Sequence, residues 1–378
     1  MKHGARAVLD VLIPLSRPSI GAAEEFAVAE VLHSGMLAQG PKTAELEDRF
    51  CEVVGTRFAV AVSSGTTALY LALLAHGIGA GDEVITTPFT FIATANSILL
   101  TGARPVFADI DEGTFNLSPQ AVEAAITNRT KAIMPVHLYG RPCDLDAFVG
   151  IARRHELILI EDAAQALGAR LGDRSVGSFG TGIFSLYATK NVTAAEGGII
   201  TSHDPAIAAR LRLLRNHGMR TRYHYEMLGF NARMSDLHAA IAIAQMDRLS
   251  DFVAQRRANA EFLSRHIHTV ITPQNTIGAQ HAWHQYTVRA KDANTRNAAV
   301  ARLTKAGVGT GIFYPVALHR QPHIDKLIGE VHLPVSEQMA GQVFSLPVHP
   351  SLSKDELRII VSEVNKLGLS CTDQTLSS

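Results

Sequence analysis

The chain has 378 residues, with 35 lysines and arginines against 35 aspartates and glutamates, 47% hydrophobic residues and 19% charged ones. That length predicts two domains at the usual ~100–200 residues each, and the balanced charge removes any global pull toward nucleic acid or anionic membrane. No run nears the ~18 apolar residues of a membrane span, and the three cysteines, Cys51, Cys143 and Cys371, lack the CxxC spacing of a zinc site or a disulfide framework, which fits a reducing compartment.

In chain order, Lys2 and Arg6 precede "AVLDVLIPL", but Asp10 interrupts the apolar run and no small-residue cleavage site follows, so a cytoplasmic protein is expected. Leu46, Phe50, Val53 and Val54 form one helical face that stops at Gly55, and "RFAVAV" then reads as a buried strand. Helix "TTALYLALLAHG", strand "DEVITT", helix "FIATANSILLTG" and strand "RPVFADI" follow, then helix "SPQAVEAAI", strand "KAIMPVHL", helix "DLDAFVGIARRHE" and strand "LILIED". Gly, Pro or Asp marks each change, as in βαβ units, so the pattern predicts an α/β fold with a mostly parallel sheet covered on both faces. Beyond it come a long helix over about 235–266, an isolated strand "QYTVRA" and further helix–strand pieces. The expected division is a large domain over 1–245 and a small C-terminal α/β domain over 246–378.

Ligands of open parallel sheets sit beyond the C-terminal strand ends, and four segments fall there. In "SSGTTA" small and hydroxyl residues open a helix, leaving N–H groups free for a phosphate. In "EDAAQALGA", Glu161 and Asp162 end a very apolar strand, where a carboxylate needs a partner such as a protonated ring nitrogen. Lys190 sits in "FSLYATKNVTAAEGG", too apolar for a solvated helix face, where a desolvated amine becomes a nucleophile toward carbonyls. In "TTPFTFIAT", Phe89 and Phe91 offer rings for stacking on a planar group. Singly, each has an ordinary reading: a helix cap, a capping aspartate, a surface lysine, a core phenylalanine. Together they meet the four needs of pyridoxal 5'-phosphate (PLP), namely an amine for its aldehyde, an anion for its ring nitrogen, a flat surface and an N–H-rich phosphate cradle.

From about Ile13 to Leu367 the ordered motifs "SGTTAL", "GDEVITTPFTFIATAN", "PVFADID", "PVHLYG", "EDAAQALGA", "FSLYATKN…EGG", "NARMSDLHAA" and "FYPVALHRQ" resemble the DegT/StrS sugar aminotransferases, PLP enzymes of fold type I. The resemblance implies that Lys190 forms the Schiff base and Asp162 pairs with the ring nitrogen. It puts Gln165 near the ring and its 3-hydroxyl, stacks Phe91 on it, and assigns the phosphate to Gly65, Thr66 and Ser185. It places Asn231 in the neighbouring subunit's phosphate site, implying a homodimer with composite sites, and makes Tyr314 and His319 candidates for contacting the substrate. The implied reaction is a two-stage transamination from L-glutamate to a keto-sugar, nucleotide-linked, in amino-sugar biosynthesis, with Lys190 moving the proton. One departure is Ala195, where many relatives carry glycine.

Three alternatives are separable. A PLP-dependent sugar dehydratase replaces the lysine with histidine, a non-catalytic PLP-binding regulator needs a DNA-binding extension, and an NAD-dependent oxidoreductase lacks the cofactor's near-visible absorbance. "HGIGAGDEV", with Gly77, Gly79 and Gly81, follows a helix and precedes a strand, the reverse of a dinucleotide fingerprint. The pairs His217/His224 and His281/His284 lack metal-ligand spacing, so no metal is expected. "RNHGMRTRYHYE" is basic and aromatic, and is read as a loop facing an anionic sugar nucleotide rather than RNA.

Overall fold

The computed structural model describes residues 12–274 and 278–368; Lys2, Arg6, Asp10 and Cys371 lie outside them. A seven-stranded sheet dominates, with β1 (Phe58–Val62), β2 (Glu83–Thr86), β3 (Arg104–Phe107), β4 (Thr130–Met134), β5 (Ile158–Asp162), β6 (Thr181–Ser185) and β7 (Gly198–Ser202). Their order is β1-β7-β6-β5-β4-β2-β3. β7 alone runs antiparallel, pairing Val62 with Gly198 on one side and Ser185 with Gly198 on the other.

Burial on both faces follows from strand alternation. Val60 and Val62 pack on one face while Ala59 and Ala61 pack on the other, and Ile183 and Phe184 divide in the same way. The first face carries α3 (Gly65–Ala75), α4 (Ala93–Leu100) and α7 (Pro205–Arg215); the second carries α2 (Pro41–Val54), α5 (Pro119–Ala125), α6 (Leu145–Arg154) and α8 (Asp236–Met246). Phe184 meets Phe50 of α2 with ring centroids 5.6 Å apart, and both are fully buried. Such a buried aromatic contributes roughly 2–3 kcal/mol. Ser118 and Asp144 cap α5 and α6 by accepting hydrogen bonds from Ala121 N and Ala147 N.

The helix expected over 235–266 is two helices. α8 ends at Met246 and α9 runs from Leu249 to His266, with Arg248 at φ −108°, ψ 5° between them. No glycine or proline marks that break; the chain turns because α8 is buried under the sheet while α9 leaves it. Leu249 and Val253 of α9 belong to the sheet's core, whereas Ala260 and Leu263 join a separate C-terminal core. That second core also takes in Ile13, the antiparallel pair β8 (Tyr286–Arg289) and β9 (Val343–Leu346), and the last helix. Among the described residues no helix is long and apolar enough to cross a membrane.

Candidate active site

A cavity of about 480 Å³ lies beyond the C-terminal strand ends, closed from above by residues of the second core. Its lining includes Gly65, Thr66, Phe91, Asp162, Gln165, Ser185, Lys190 and Tyr314. Part of the lining is built on α3. Ser64 caps that helix, its Oγ accepting from Thr67 N at 3.1 Å, while the N–H groups of Gly65 and Thr66 belong to the first turn and have no intrahelical acceptor. Gly65 is required by the approach of β6: a Cβ there would lie 2.9 Å from Ser185 Cβ and 3.2 Å from its Oγ. Free N–H groups, a positive helix end and two hydroxyls make an anion seat.

The same lining holds Asp162, buried at the end of β5. Its Oδ2 accepts from Thr94 Oγ1 at 2.9 Å and its Oδ1 from Ala164 N at 3.2 Å. Burial pushes its carboxyl above the usual range, against the pull of Thr94, Ala164 and Lys190. The neighbouring Glu161 points to the opposite face of the strand. There it ties down the following turn, accepting from Gly177 N at 2.7 Å, Phe179 N at 2.7 Å and Gly180 N at 2.8 Å. His137 Nδ1 accepts from Cys143 N, so its Nε2 carries the proton toward Glu161 at 3.3 Å. Adjacent carboxylates thus serve different ends: Glu161 holds the backbone and Asp162 faces the ligand space.

Lys190 lines the cavity at a turn closed by its own N–H on Tyr187 O at 2.9 Å. Burial brings its amine down to about 8, with Asp162 pulling the other way. The free base, which a nucleophile or proton carrier needs, is therefore far more accessible near neutrality than in an ordinary lysine, although the protonated form still predominates. Gln165 is fixed at both ends: its Oε1 accepts from Tyr139 N at 2.7 Å and its Nε2 donates to Tyr314 Oη at 3.3 Å. Phe91 stands at the mouth, 56% exposed, with its ring centroid 6.3 Å from that of Tyr314.

Three expected positions lie elsewhere. Phe89 offers no ring to the cavity, being fully buried against Phe115 at 6.4 Å. His319 is a correction: it is buried, outside the lining, and its Nε2 is engaged by Glu337 Oε1 at 2.9 Å, because the turn carrying it packs its ring on Phe107. Asn231 is exposed and does not line the cavity of its own chain, although the backbone beside it is anchored there by Ser63 N donating to Ala232 O at 2.9 Å. Tyr314 does line the cavity.

Sequence reasoning missed Thr94, His284, Gln285 and Glu196, all of them in the lining. Thr94 had a detectable signal, a hydroxyl one helical turn after Thr90 in an otherwise apolar run. Ala195 has φ 66°, the left-handed region, which explains why glycine is common at that place. The glycine-rich "HGIGAGDEV" joins α3 to β2, as expected.

These features fit PLP. One cavity lining brings together an anion seat, a buried carboxylate, an amine of lowered basicity and an exposed aromatic ring. Comparison with known proteins agrees. Residues 18–365 match the DegT/DnrJ/EryC1/StrS aminotransferase family. A relative from Bacillus subtilis, the spore coat polysaccharide biosynthesis protein SpsC, is 40% identical over 94% of this chain and 97% of its own. Another from Geobacillus stearothermophilus, named a pleiotropic regulatory protein, is 40% identical over 89% of this chain and 91% of its own. Among solved structures, DesV of S. venezuelae in complex with a ketimine intermediate superposes with a TM-score of 0.88 at 37% identity, covering 91% of this chain and 93% of that one. The chain belongs to the DegT/DnrJ/EryC1/StrS aminotransferase family and is a PLP-dependent sugar aminotransferase of fold type I.

Proposed function

We propose that this enzyme moves an amino group from L-glutamate to a keto-sugar carried on a nucleotide, in the cytoplasm, as a homodimer whose sites each take the partner's Asn231. The observation that carries the reading is the single cavity joining Lys190, Asp162 and the anion seat of α3. When bound, the cofactor supplies an aldehyde that carries the amino group and a ring that takes up electrons from the substrate carbon.

The chain's residues divide the remaining work. Gly65, Thr66 and Ser185 would hold the phosphate, Phe91 would cover the ring, and Gln165 would orient it. Asp162 would accept the hydrogen bond of the protonated ring nitrogen, with Thr94 keeping that carboxylate aimed. Lys190 Nζ, with its pKa near 8, takes a proton from the substrate carbon and returns it on the other side of the transfer. Tyr314 contacts the sugar from the cavity roof. The presence of Lys190 favours transamination over dehydration, and its place beside Asp162 favours catalysis over a purely regulatory role.

A composite site is supported by the surface around Asn231. Leu228 is 81% exposed and Tyr223 and Tyr225 are exposed beside it, while Phe26 of α1 (Ala22–Ser34) is 67% exposed. Among the described residues lining the cavity none is an arginine and Lys190 is the one lysine, so an anionic substrate draws on cations beyond this lining. Arg222, on the exposed hairpin beside Tyr223, is the cation this reading assigns to the partner's substrate. The test is solution mass against PLP occupancy across a dilution series, together with a panel of keto-sugar nucleotides offered with glutamate. Cofactor lost as the dimer dissociates supports the composite site; a fully loaded, active monomer rules it out. Turnover of simple 2-oxo acids alone refutes the sugar reading.

A further inference from the structure

His284 precedes β8 and lines the cavity, with no role in the scheme above. Its residue surface is only 9% exposed, and its Nδ1 is sealed without a hydrogen-bond partner. The ring is neutral: burial, with Lys190, Arg256 and His281 nearby, holds its pKa well below the ordinary value. A neutral imidazole has one N–H and one lone pair. With Nδ1 sealed, Nε2 is the nitrogen left to meet a ligand, and with the hydrogen there the ring presents an N–H to the cavity.

The backbone that carries the ring is fixed. Arg256 Nη1 donates to Trp283 O at 3.1 Å and to His284 O at 3.3 Å, and Gln285 N donates to Tyr139 O at 3.1 Å. Gly140, at φ +95°, lets this strand approach: a Cβ there would stand 3.0 Å from His284 N and 2.9 Å from Gln165 O. Trp283 is stacked on His281 at 3.9 Å and 3°. Gln165 is committed to Tyr139 and Tyr314, Asp162 to Thr94 and Ala164, and Ser64 to its helix, while Gln285 beside His284 has its Oε1 buried without a partner. His284 and Gln285 together leave hydrogen-bonding capacity in the lining for a ligand.

We propose that His284 donates its Nε2–H to an oxygen of the acceptor sugar beside the carbon to be aminated, and so helps to determine which keto-sugar is positioned near Lys190. A neutral N–H suits a hydroxyl or keto oxygen, whereas the carboxylates of the amino donor are better met by a cation. The inference rests on the keto-sugar reading given above.

The experiment compares wild-type holoenzyme with His284→Phe, His284→Asn and His284→Gln. His284→Phe removes the donor, and His284→Asn places its amide near the sealed Nδ1 position without adding bulk. The glutamine amide reaches the Nε2 position. Steady-state KM is measured for the best keto-sugar nucleotide of the panel, the glutamate half-reaction is followed in a single turnover, and binding of UDP-glucose and dTDP-glucose is measured by calorimetry. Phe and Asn are expected to raise acceptor KM and weaken nucleotide-glucose binding by about three- to tenfold, the worth of one neutral hydrogen bond, with the glutamate half-reaction within about twofold of wild type. Gln is expected to restore both. Unchanged acceptor KM in Phe and Asn, an equal loss in the glutamate half-reaction, or a Gln variant as weak as Phe overturns the role. Wild-type enzyme active only on 2-oxo acids overturns instead the keto-sugar reading on which it rests.

Discussion

Replacing Gly65 by alanine isolates the phosphate seat from the chemistry. The glycine's φ lies outside the left-handed region and alanine is the better helix former, so by backbone preference alone the change stabilises α3 by ~0.5–1 kcal/mol. The added Cβ, however, falls 2.9 Å from Ser185 Cβ, where carbon atoms prefer about 3.5–4.0 Å. Ser185 lies on a central strand, paired with Gly198, and cannot give way without moving the sheet. The helix start must then shift by several tenths of an ångström, carrying with it the N–H groups of residues 65 and 66. Overpacking of this kind costs about 1–3 kcal/mol, and spoiling one charge-assisted hydrogen bond costs a similar amount. PLP affinity, measured by absorbance titration of cofactor-free protein, is expected to fall roughly 10–100-fold at 1.4 kcal/mol per tenfold. Adding Ser185→Gly should recover thermal stability lost in the single variant, because the offending Cβ is gone, without restoring PLP affinity, because the hydroxyl that binds the phosphate goes with it. Wild-type PLP affinity in the single variant would show that the helix start does not hold the phosphate.

Lys190 sets a pH dependence. Its amine titrates near 8 in the cofactor-free protein, and the free base is the form that attacks a carbonyl, so the rate of PLP association should rise with pH and level off above about 8; a stopped-flow profile that is flat from pH 6 to 9 contradicts this. Ala195→Gly should raise thermal stability slightly, since relief of a left-handed alanine returns ~1–2 kcal/mol against ~0.4–1 kcal/mol of added chain entropy in the unfolded state. A lowered Tm would mean that the alanine methyl makes a compensating contact.

Much of this architecture is written in local patterns. Apolar runs such as "LILI" and "FAVAV" mark the strands because residues buried on both sheet faces leave no room for polar alternation. The anion seat and Asp162 are legible because each sits at a run's end. What is not legible depends on contacts distant in sequence. That Asp162 rather than Glu161 faces the ligand is a matter of strand parity. That His319 is buried follows from its packing on Phe107 and its bond to Glu337. His284 reaches the cavity only because Gly140, far earlier in the chain, lets the two backbones close on each other. The break between α8 and α9 carries no breaker residue, so periodicity runs straight through it.

The antiparallel strand has a consequence for how the chain is made. β1 has no sheet neighbour except β7, so the strand that leads into the phosphate seat leaves the ribosome unpaired and stays so until residues 198–202 emerge. At ~5–20 residues per second that interval is on the order of 10 s. During it β2 to β5 can already pair in parallel, while an apolar strand with both edges bare waits beside them. The nascent protein is most exposed to wrong partners at the element that later grips the cofactor.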